Sequence, residues 1–240
     1  MPTQDFSVSI IVPAYNEEDN IAQALQNVHK AIQGLTDDYE ILVFSDGSQD
    51  RTGRIVQDQA RLHPGIKLIE FEENQGYGYV FKEGIRLASK KYFLIFHGDN
   101  DMAWQSTRDL ILNAGQSDLI SSYLTDMKIR SLFRRIISQT FVMAMNCLFG
   151  MQLRYFNGPF ICRCELLSSL PLRSPGLTVV AETKIRLIKK GHSYKEIPFQ
   201  HIGRRGGKST ALRFKNVVTV ISVVAVLWKE IYLTKDSEKK

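Results

Sequence analysis

The feature that most constrains the fold of this chain is the alternation of short β-type runs with helical patterns over its first hundred residues. The segments between the runs carry apolar residues with a 3.6-residue period, as Ile21, Leu25, Val28 and Ile32 do in the first of them. Strand, helix and strand at this spacing predict a parallel sheet with right-handed crossovers, and therefore an α/β protein. The predicted strands are residues 8–12, 41–44, 66–71 and 92–96.

Each of these predicted strands is followed by a polar, turn-forming cluster. Ligands of parallel α/β sheets bind beyond the carboxyl ends of the strands, so the clusters are expected to meet at one edge and form a site there. The clusters are residues 13–17, 45–48, 74–78 and 97–101.

The second half of the chain is less regular. Helices are predicted over 131–149 and 177–190, with Gly191 as the left-handed residue that ends the second of them. A turn is predicted over 155–159 and a strand over 194–199. The length of 240 residues fits one large α/β domain or two small ones.

The cluster after the fourth strand contains His97, Asp99 and Asp101 at alternate positions. Such side chains can converge on one divalent cation, and Mg²⁺ or Mn²⁺ binds a few carboxylates together with the phosphates of a substrate. Such a cation would offset diphosphate charge and stabilise a departing nucleotide diphosphate. In the alternative interpretation the cluster is an acidic turn that only ends the strand, because Gly-Asp-Asn is also favourable turn chemistry.

Asp46 follows the second strand and offers a carboxylate to a nucleobase N–H or a ribose hydroxyl. In the alternative interpretation, Ser48 or Asp50 simply caps the following helix. The glycine pair of the third cluster is not a dinucleotide-binding fingerprint, because Phe81 stands where the third glycine belongs. The pair favours a tight turn or a close approach of backbone to ligand, and disfavours a nicotinamide-dependent dehydrogenase.

The chain carries 31 lysines and arginines against 25 acidic residues, which gives a net charge of +6 and a pI near 9.2. This balance predicts an anionic partner: nucleic acid, anionic lipid or a phosphorylated substrate. One basic cluster, with Arg204 and Lys208, lies in a glycine-rich segment, and a second, with Arg135, begins a predicted helix. Beside a candidate metal site they favour binding of phosphate groups. The alternative is a solvated basic surface or a patch that faces a membrane.

The motifs of several enzyme classes are absent from the sequence, which has no HExxH zinc site, no GxSxG nucleophile elbow and no Walker loop. Its three cysteines, Cys147, Cys162 and Cys164, form no metal-ligand spacing, and their odd number disfavours a disulfide framework. A reducing compartment is therefore expected, and no secretory signal pattern precedes the first strand.

The longest apolar run, residues 217–228, is shorter than the ~20 residues of a membrane-spanning helix. A helix that lies on a membrane or packs on a partner is predicted there, and a buried core helix is the alternative.

In their order along the chain, these clusters resemble the family 2 glycosyltransferases, in particular the dolichol-phosphate mannosyltransferase-like branch that makes dolichyl- or polyprenyl-phosphate sugars. Each motif is modest, but their order and spacing are specific and together they span nearly the whole chain. The matching stretches are residues 8–17 (Val-Ser-Ile-Ile-Val-Pro-Ala-Tyr-Asn-Glu), residues 46–52 (Asp-Gly-Ser-Gln-Asp-Arg-Thr), Asn74-x-Gly76-x-Gly78, the acidic turn at 97–101 and Arg204-x-x-Gly207-Lys208-Ser209.

The resemblance implies a GT-A type nucleotide-sugar-binding domain over residues 1–208, with a mainly parallel twisted sheet flanked by helices. A C-terminal amphipathic helix that associates with a membrane or packs on the domain is predicted over residues 209–234. A charged tail over residues 235–240 completes the predicted organisation.

The resemblance also implies roles for individual residues. Glu182 is expected to face the acceptor and to orient groups there, or to act as general base if the acceptor is a hydroxyl. Asp99 and Asp101 are expected to be catalytic and, with His97, to hold the metal. The nucleotide is assigned to Pro13, Tyr15, Glu17 and Asp46, the diphosphate to Arg204 and Lys208, and the lipid phosphate of the acceptor to Arg135 and Ser138.

Two positions depart from the family pattern. Ser45 stands where an aspartate usually precedes Asp46, which weakens the prediction of base recognition. His97 stands where the first aspartate of the metal motif is expected, unless Asp99 and Asp101 form the motif in another register. Histidine binds Mn²⁺ but is a poor ligand for Mg²⁺.

The function that the resemblance implies is inverting transfer of a sugar from a GDP- or UDP-linked donor to a polyprenyl or dolichyl phosphate. The expected protein uses Mn²⁺ or Mg²⁺ and is cytoplasmic and peripheral on the inner face of a membrane. It has no nucleic-acid partner, and self-association into a homo-oligomer is compatible with the sequence. Two alternatives stay open: a non-catalytic subunit that binds a nucleotide sugar or a lipid phosphate, and a glycosyltransferase with a sugar hydroxyl as acceptor.

Overall fold

The computed structural model describes residues 6–125, 132–202 and 214–233. In this part of the chain, strands and helices alternate as the sequence predicts for the first hundred residues. The strands are β1 (Val8–Ala14), β2 (Tyr39–Asp46), β3 (Ile66–Phe71), β4 (Tyr92–Ile95), β5 (Leu119–Leu124), β6 (Phe160–Arg163) and β7 (Tyr194–Phe199). The helices are α1 (Ile21–Ile32), α2 (Thr52–Leu62), α3 (Tyr77–Leu87), α4 (Trp104–Asn113), α5 (Leu132–Phe149), α6 (Cys164–Ser168), α7 (Thr178–Lys189) and α8 (Phe214–Tyr232).

The strands form one seven-stranded sheet in the order β3-β2-β1-β4-β6-β5-β7. Strand β6 runs antiparallel to both of its neighbours, and every other pair is parallel. The predicted mainly parallel α/β sheet is therefore confirmed. Strands β1 and β4 are buried along nearly their whole length, as expected for strands that are covered by helices on both faces.

Helices cover both faces of the sheet. One apolar cluster joins the sheet to α1, α2 and α4, and a second joins its other face to α3, α6 and α7. A third cluster brings together Met145 and Phe149 of α5, Ile185 of α7 and Leu227 of α8. Helix α8 thus packs on the domain through part of its apolar surface, while Ile221, Val226 and other apolar side chains of the same helix are exposed.

The first strand is longer than the predicted residues 8–12, because β1 continues through Pro13 to Ala14. The last pair between β1 and β4 is Ile11 with Ile95, and the Pro13 carbonyl beyond it accepts a hydrogen bond from the Gly98 N–H. The proline nitrogen faces the same side, where β4 has already ended, so the ladder loses no donor there. Gly191, in contrast, has the predicted left-handed conformation after α7, with φ of 90°.

Candidate active site

The carboxyl ends of the parallel strands carry the four polar clusters, and direct hydrogen bonds join the loops there. The Gly98 N–H donates to the Pro13 carbonyl over 3.1 Å, which joins the loop after β4 to the end of β1. The Asn74 side-chain amide donates to the Asp46 carbonyl over 3.0 Å, which joins the loop after β3 to β2. The predicted convergence of the four clusters at one edge of the sheet is thus what the structure contains.

The loops after β1 and β2 are held together by a ladder of hydrogen bonds. Asn16, in a left-handed conformation with φ of 52°, accepts a bond from the Gln49 N–H over 2.8 Å. The Glu17 N–H donates to the Thr52 hydroxyl over 2.8 Å. Asp50 accepts bonds from the Thr52 N–H and the Glu18 N–H, so its carboxylate caps the start of α2. For Asp50, these contacts support the capping interpretation.

Asp46 organises the loop after β3. Its two carboxylate oxygens accept hydrogen bonds from the backbone N–H groups of Gln75 (2.7 Å) and Gly76 (2.9 Å). Gly47 has φ of 70°, and a Cβ there would lie 2.4 Å from the Asn74 nitrogen, so this close approach requires glycine. A carboxylate has about four acceptor positions, which leaves Asp46 capacity for a ligand besides the loop.

The other residues assigned to the nucleotide lie around this edge. Tyr15 is 50% exposed, so its ring is open to a ligand. Glu17 is buried and its carboxylate accepts a hydrogen bond from the Asn20 side chain. The Pro13 carbonyl is occupied by the Gly98 N–H. Only Tyr15 of these three presents a large, open surface, and the nucleotide-binding roles of all three stay predictions.

The structure brings His97, Asp99 and Asp101 together, with one ligand atom from each lying within 4.8 Å of the others. Asn100, between the two aspartates, adopts a left-handed conformation with φ of 55°. Its side-chain oxygen accepts a hydrogen bond from Asn27 of α1 over 2.8 Å. This bond joins the acidic turn to α1 at the buried Asn27.

Two further side chains border this cluster, the imidazole of His201 and the phenol of Tyr77, and the sequence analysis missed both. His201 Nε2 lies 3.1 Å from Asp101 Oδ2, and the Tyr77 hydroxyl lies 3.4 Å from His97 Nε2. His201 follows β7, which pairs in parallel with β5, so it lies at the same edge as the other clusters. The carboxyl-end rule applied to the predicted strand 194–199 would have found it.

The charges within the cluster support one another. Burial by itself raises the pKa of Asp101, but hydrogen bonds from His201 and His97 outweigh burial and hold this pKa well below its usual range. Burial lowers the pKa of His97, but the hydrogen bond with Asp101 and the charge of Asp101 outweigh burial. The pKa of His97 therefore lies above its usual value. Burial, with the negative charges of Asp101 and Asp99, raises the pKa of Tyr77 strongly. Asp101 is thus an anion, and Tyr77 keeps its proton.

This donor set fits a divalent cation. Two carboxylates and an imidazole at these separations match the oxygen and nitrogen ligands of Mn²⁺, and the imidazole makes the set less suited to Mg²⁺. His201, hydrogen-bonded to Asp101, is placed to orient that carboxylate, as partners of metal ligands commonly do.

The residues assigned to the acceptor and the diphosphate are placed only in part. Arg135 and Ser138 lie one turn apart on α5, both half-buried. Arg204 and Lys208 lie outside the described residues, so their roles stay predictions. The exposed Arg173 side chain pairs with Glu230 of α8.

Glu182 does not have the open, acceptor-facing position that the resemblance implies. It is 2% exposed, and its carboxylate accepts hydrogen bonds from the backbone N–H groups of Arg173 and Ser174 and from the Arg186 side chain. A carboxylate held by three donors in the interior is poorly placed to take a proton from an acceptor. The general-base role of Glu182 stays a prediction that none of these contacts supports.

Comparison with known proteins adds to this geometry. The family model described as "Glycosyl transferase family 2" matches residues 9–165, which is more than half of the chain. The chain is 27% identical over 211 residues to a dolichol-phosphate mannosyltransferase of Pyrococcus furiosus, covering 84% of this chain and 58% of that protein. It is 28% identical over 158 residues to a dolichyl-phosphate beta-glucosyltransferase of Dictyostelium discoideum, covering 58% of this chain and 48% of that protein. The chain thus spans about half the length of these relatives.

The fold is also similar to that of solved structures. Glucosyl-3-phosphoglycerate synthase from Mycobacterium tuberculosis in complex with UDP superposes with a TM-score of 0.70 at 19% identity, covering 92% of this chain and 80% of that one. The same enzyme in complex with Mn²⁺, UDP-glucose and phosphoglyceric acid gives a TM-score of 0.68 at 17% identity, with coverage of 91% and 80%. These likenesses identify the fold as that of GT-A glycosyltransferases.

Proposed function

The chain belongs to glycosyl transferase family 2, and we propose that it transfers a sugar from a nucleotide diphosphate sugar to a polyprenyl phosphate at a membrane surface. The observation that carries this proposal is the meeting of the loops after β1, β2 and β3 with the cluster of His97, Asp99 and Asp101 at one edge of the sheet. An exposed tyrosine, an oriented carboxylate and a cation site side by side suit the base, the ribose and the diphosphate of such a donor. The names of the relatives support a lipid phosphate as the acceptor.

The chemistry of this acceptor explains why the site needs no strong base. A lipid phosphate is already ionised at neutral pH, so its oxygen can attack the anomeric carbon of the sugar directly and invert its configuration. The leaving group is the nucleoside diphosphate, whose charge is the main electrostatic cost of the step. A bound divalent cation supplies positive charge for that group. The chain's own part is to hold the diphosphate beside His97, Asp99 and Asp101, and to orient Asp101 through its contact with His201.

Mn²⁺ is proposed over Mg²⁺ because of the imidazole in the donor set. A thermal-shift panel of nucleoside diphosphates with Mn²⁺, Mg²⁺ or EDTA tests whether the donor is GDP-linked or UDP-linked. At 100 times its dissociation constant a ligand stabilises the fold by about 2.7 kcal/mol, roughly 5–10 °C in melting temperature for a chain of this size. One nucleotide is expected to give such a shift with Mn²⁺ and to lose most of it in EDTA. The absence of a shift with every nucleoside diphosphate would contradict the donor assignment.

Two helices that contact each other support the membrane part of the proposal. Phe149 of α5 stacks on Tyr232 of α8, and both helices carry large apolar side chains that are exposed. Exposed apolar surface of this extent, on a chain with net charge +6, suits the headgroup region of an anionic bilayer. No helix within residues 6–125, 132–202 and 214–233 has the length and apolar content needed to cross a bilayer. The exposed residues are Leu132, Phe133, Ile136, Ile137, Met143 and Leu148 on α5, and Ile221, Val226, Trp228 and Tyr232 on α8.

The membrane contact is tested with the double variant Ile136→Glu and Met143→Glu in flotation with anionic vesicles. Two charges on an apolar surface oppose its transfer to the interface, so bound protein is expected to fall by at least about tenfold, since tenfold corresponds to only about 1.4 kcal/mol. Leu62→Glu is the matched control, because Leu62 is equally exposed but lies at the end of α2. Equal vesicle binding by the double variant and the control would place the contact elsewhere.

A further inference from the structure

Glu182 is the centre of a buried ionic network that the proposed reaction does not use. Its oxygens accept the backbone N–H groups of Arg173 (3.1 Å) and Ser174 (2.9 Å), and the Arg186 side chain donates over 2.8 Å. Buried carboxylates require such partners, and a carboxylate that accepts successive backbone N–H groups fixes the path of that backbone. Glu182 therefore defines the position of residues 173–175, the segment that precedes α7.

This segment supports the donor side of the candidate site. The Gly78 N–H donates to the Pro175 carbonyl over 3.1 Å, and a Cβ on Gly78 would lie only 2.4 Å from the Ser174 carbonyl oxygen. The segment is thus in backbone contact with the first turn of α3. The neighbouring Gly76 N–H donates to Asp46, the carboxylate assigned to the nucleotide. The Glu182 carboxylate is therefore connected to the Asp46 carboxylate through hydrogen bonds to the backbone of residues 173–175 and 76–78.

The same network reaches α8 at its other end. Glu230 of α8 accepts the Arg186 guanidinium over 2.6 Å and the Arg173 guanidinium over 2.9 Å. A cavity of about 160 Å³ lies beside these groups, lined also by Val223, Val226 and Leu227 of α8. The ion pairs of Glu230 with Arg173 and Arg186 join this end of α8 to the segment at 173–175, beside the apolar contacts of Leu227 and Ile231.

We propose that Glu182 is a positioning residue of the donor site. Glu230 connects the same network to α8, so the position of α8 on the domain affects the affinity for the nucleotide. This inference rests on the proposed function, because it assigns the network to the binding of the donor. It replaces a proton-transfer role for Glu182 by a structural one with a defined target, the backbone of residues 75–78. A helix with exposed apolar residues is thereby connected to the donor loop through two acidic side chains.

The test compares Glu182→Gln and Glu230→Ala with two matched controls. Glu83→Gln removes the charge of a half-buried, ion-paired glutamate on α3, and Lys229→Ala changes the exposed neighbour of Glu230 on α8. The first readout is amide hydrogen exchange of residues 75–78 in the protein without ligand, which requires no activity. Both Glu variants are expected to exchange these amides at least about tenfold faster, and both controls are expected to match the wild type.

The second readout separates positioning from proton transfer. Both Glu variants are expected to raise the donor KM by about tenfold while kcat stays within about threefold, since the loss is one of ground-state binding. If Glu182→Gln instead lowers kcat by more than about a hundredfold with unchanged donor KM and unchanged exchange, Glu182 is a base and the inference is overturned. Unchanged exchange in Glu230→Ala, which retains Glu182, overturns the connection to α8. Faster exchange in a protein that transfers no sugar supports the network and contradicts the proposed function alone.

Discussion

Replacing Asp99 with alanine is expected to lower the rate of sugar transfer by about 10³-fold, with little change in stability. The removal of one preorganised electrostatic contact in an active site typically costs 10²–10³ in rate, and the loss of a metal ligand adds to that cost. Asp99 lies in a half-buried turn outside the apolar clusters of the core, and the Asp101 N–H donates to its carboxylate over 3.4 Å. The free energy of unfolding is therefore expected to change by less than about 1 kcal/mol.

The measurement pairs initial rates of transfer with urea denaturation of the same preparation. Asp109→Ala is the control, since Asp109 is an exposed aspartate of α4 outside the cluster of His97, Asp99 and Asp101. The control is expected to keep its rate within about twofold. A variant Asp99→Ala that folds normally and retains most of its turnover would remove Asp99 from the chemistry and, with it, the assignment of the metal.

Lys184→Met is expected to stabilise the protein at pH 7 by about 1–4 kcal/mol, because methionine has similar volume and does not carry the desolvation cost of a buried ammonium, which pKa linkage relates to stability. Lys184 of α7 is fully buried, with its ammonium 5.9 Å from the Phe160 ring centre and 3.5 Å from the Tyr155 carbonyl oxygen. Burial lowers the pKa of Lys184 to about 7, and the charge of Glu196 offsets only part of that effect. Folding the charged lysine is therefore costly near neutral pH.

The pH dependence of this effect has a definite sign. The folded-state pKa of about 7 lies below the ordinary value of 10.5, so the unfolded chain binds the extra proton throughout the interval between them. Wild-type stability attributable to Lys184 is therefore complete above pH 10.5 and is lost as the pH falls toward 7. The advantage of Lys184→Met is expected to be about 1–3 kcal/mol larger at pH 7 than at pH 9.5. Urea denaturation at both pH values measures it, with Lys30→Met, an exposed lysine of α1, as the control. An advantage that does not depend on pH, or a destabilised variant, would show that the Lys184 ammonium has a favourable partner.

The parts of the fold that sequence predicts are those with local signals. Strands β1 to β4 are predictable because short apolar runs alternate with segments of helical periodicity. Ligand sites lie at the carboxyl ends of parallel strands, which predicts that Asp46 and the cluster at 97–101 meet at one edge. Strands β5 and β6 carry weak signals. Ser121 and Ser122 interrupt the apolar run of β5, and β6 is only four residues long. The insertion of antiparallel β6 between β4 and β5 is a tertiary choice that no local pattern specifies.

The site shows the same division. His97, Asp99 and Asp101 are adjacent in sequence, so their convergence follows from one tight turn. The contact of His201 with Asp101 depends on the place of β7 in the sheet, a hundred residues further along. For Glu182, position in the chain predicts a role at the acceptor, but side-chain direction is set by the packing of α7 against residues 173–174 and α8. The direction of the Glu182 side chain therefore depends on tertiary packing and cannot be predicted from its position in the sequence.

The central claim is tested most directly by a transfer assay with the purified chain and vesicles that contain a polyprenyl phosphate. A panel of UDP- and GDP-linked sugars is supplied with Mn²⁺, Mg²⁺ or EDTA, and the lipid fraction is analysed by mass spectrometry, with the anomeric configuration determined by NMR. The account predicts a sugar-phosphoryl lipid from one class of donor, with inverted configuration, strongest with Mn²⁺ and lost in EDTA. Tight metal-dependent binding of a nucleotide without any lipid product, or transfer only to sugar hydroxyls, would contradict it.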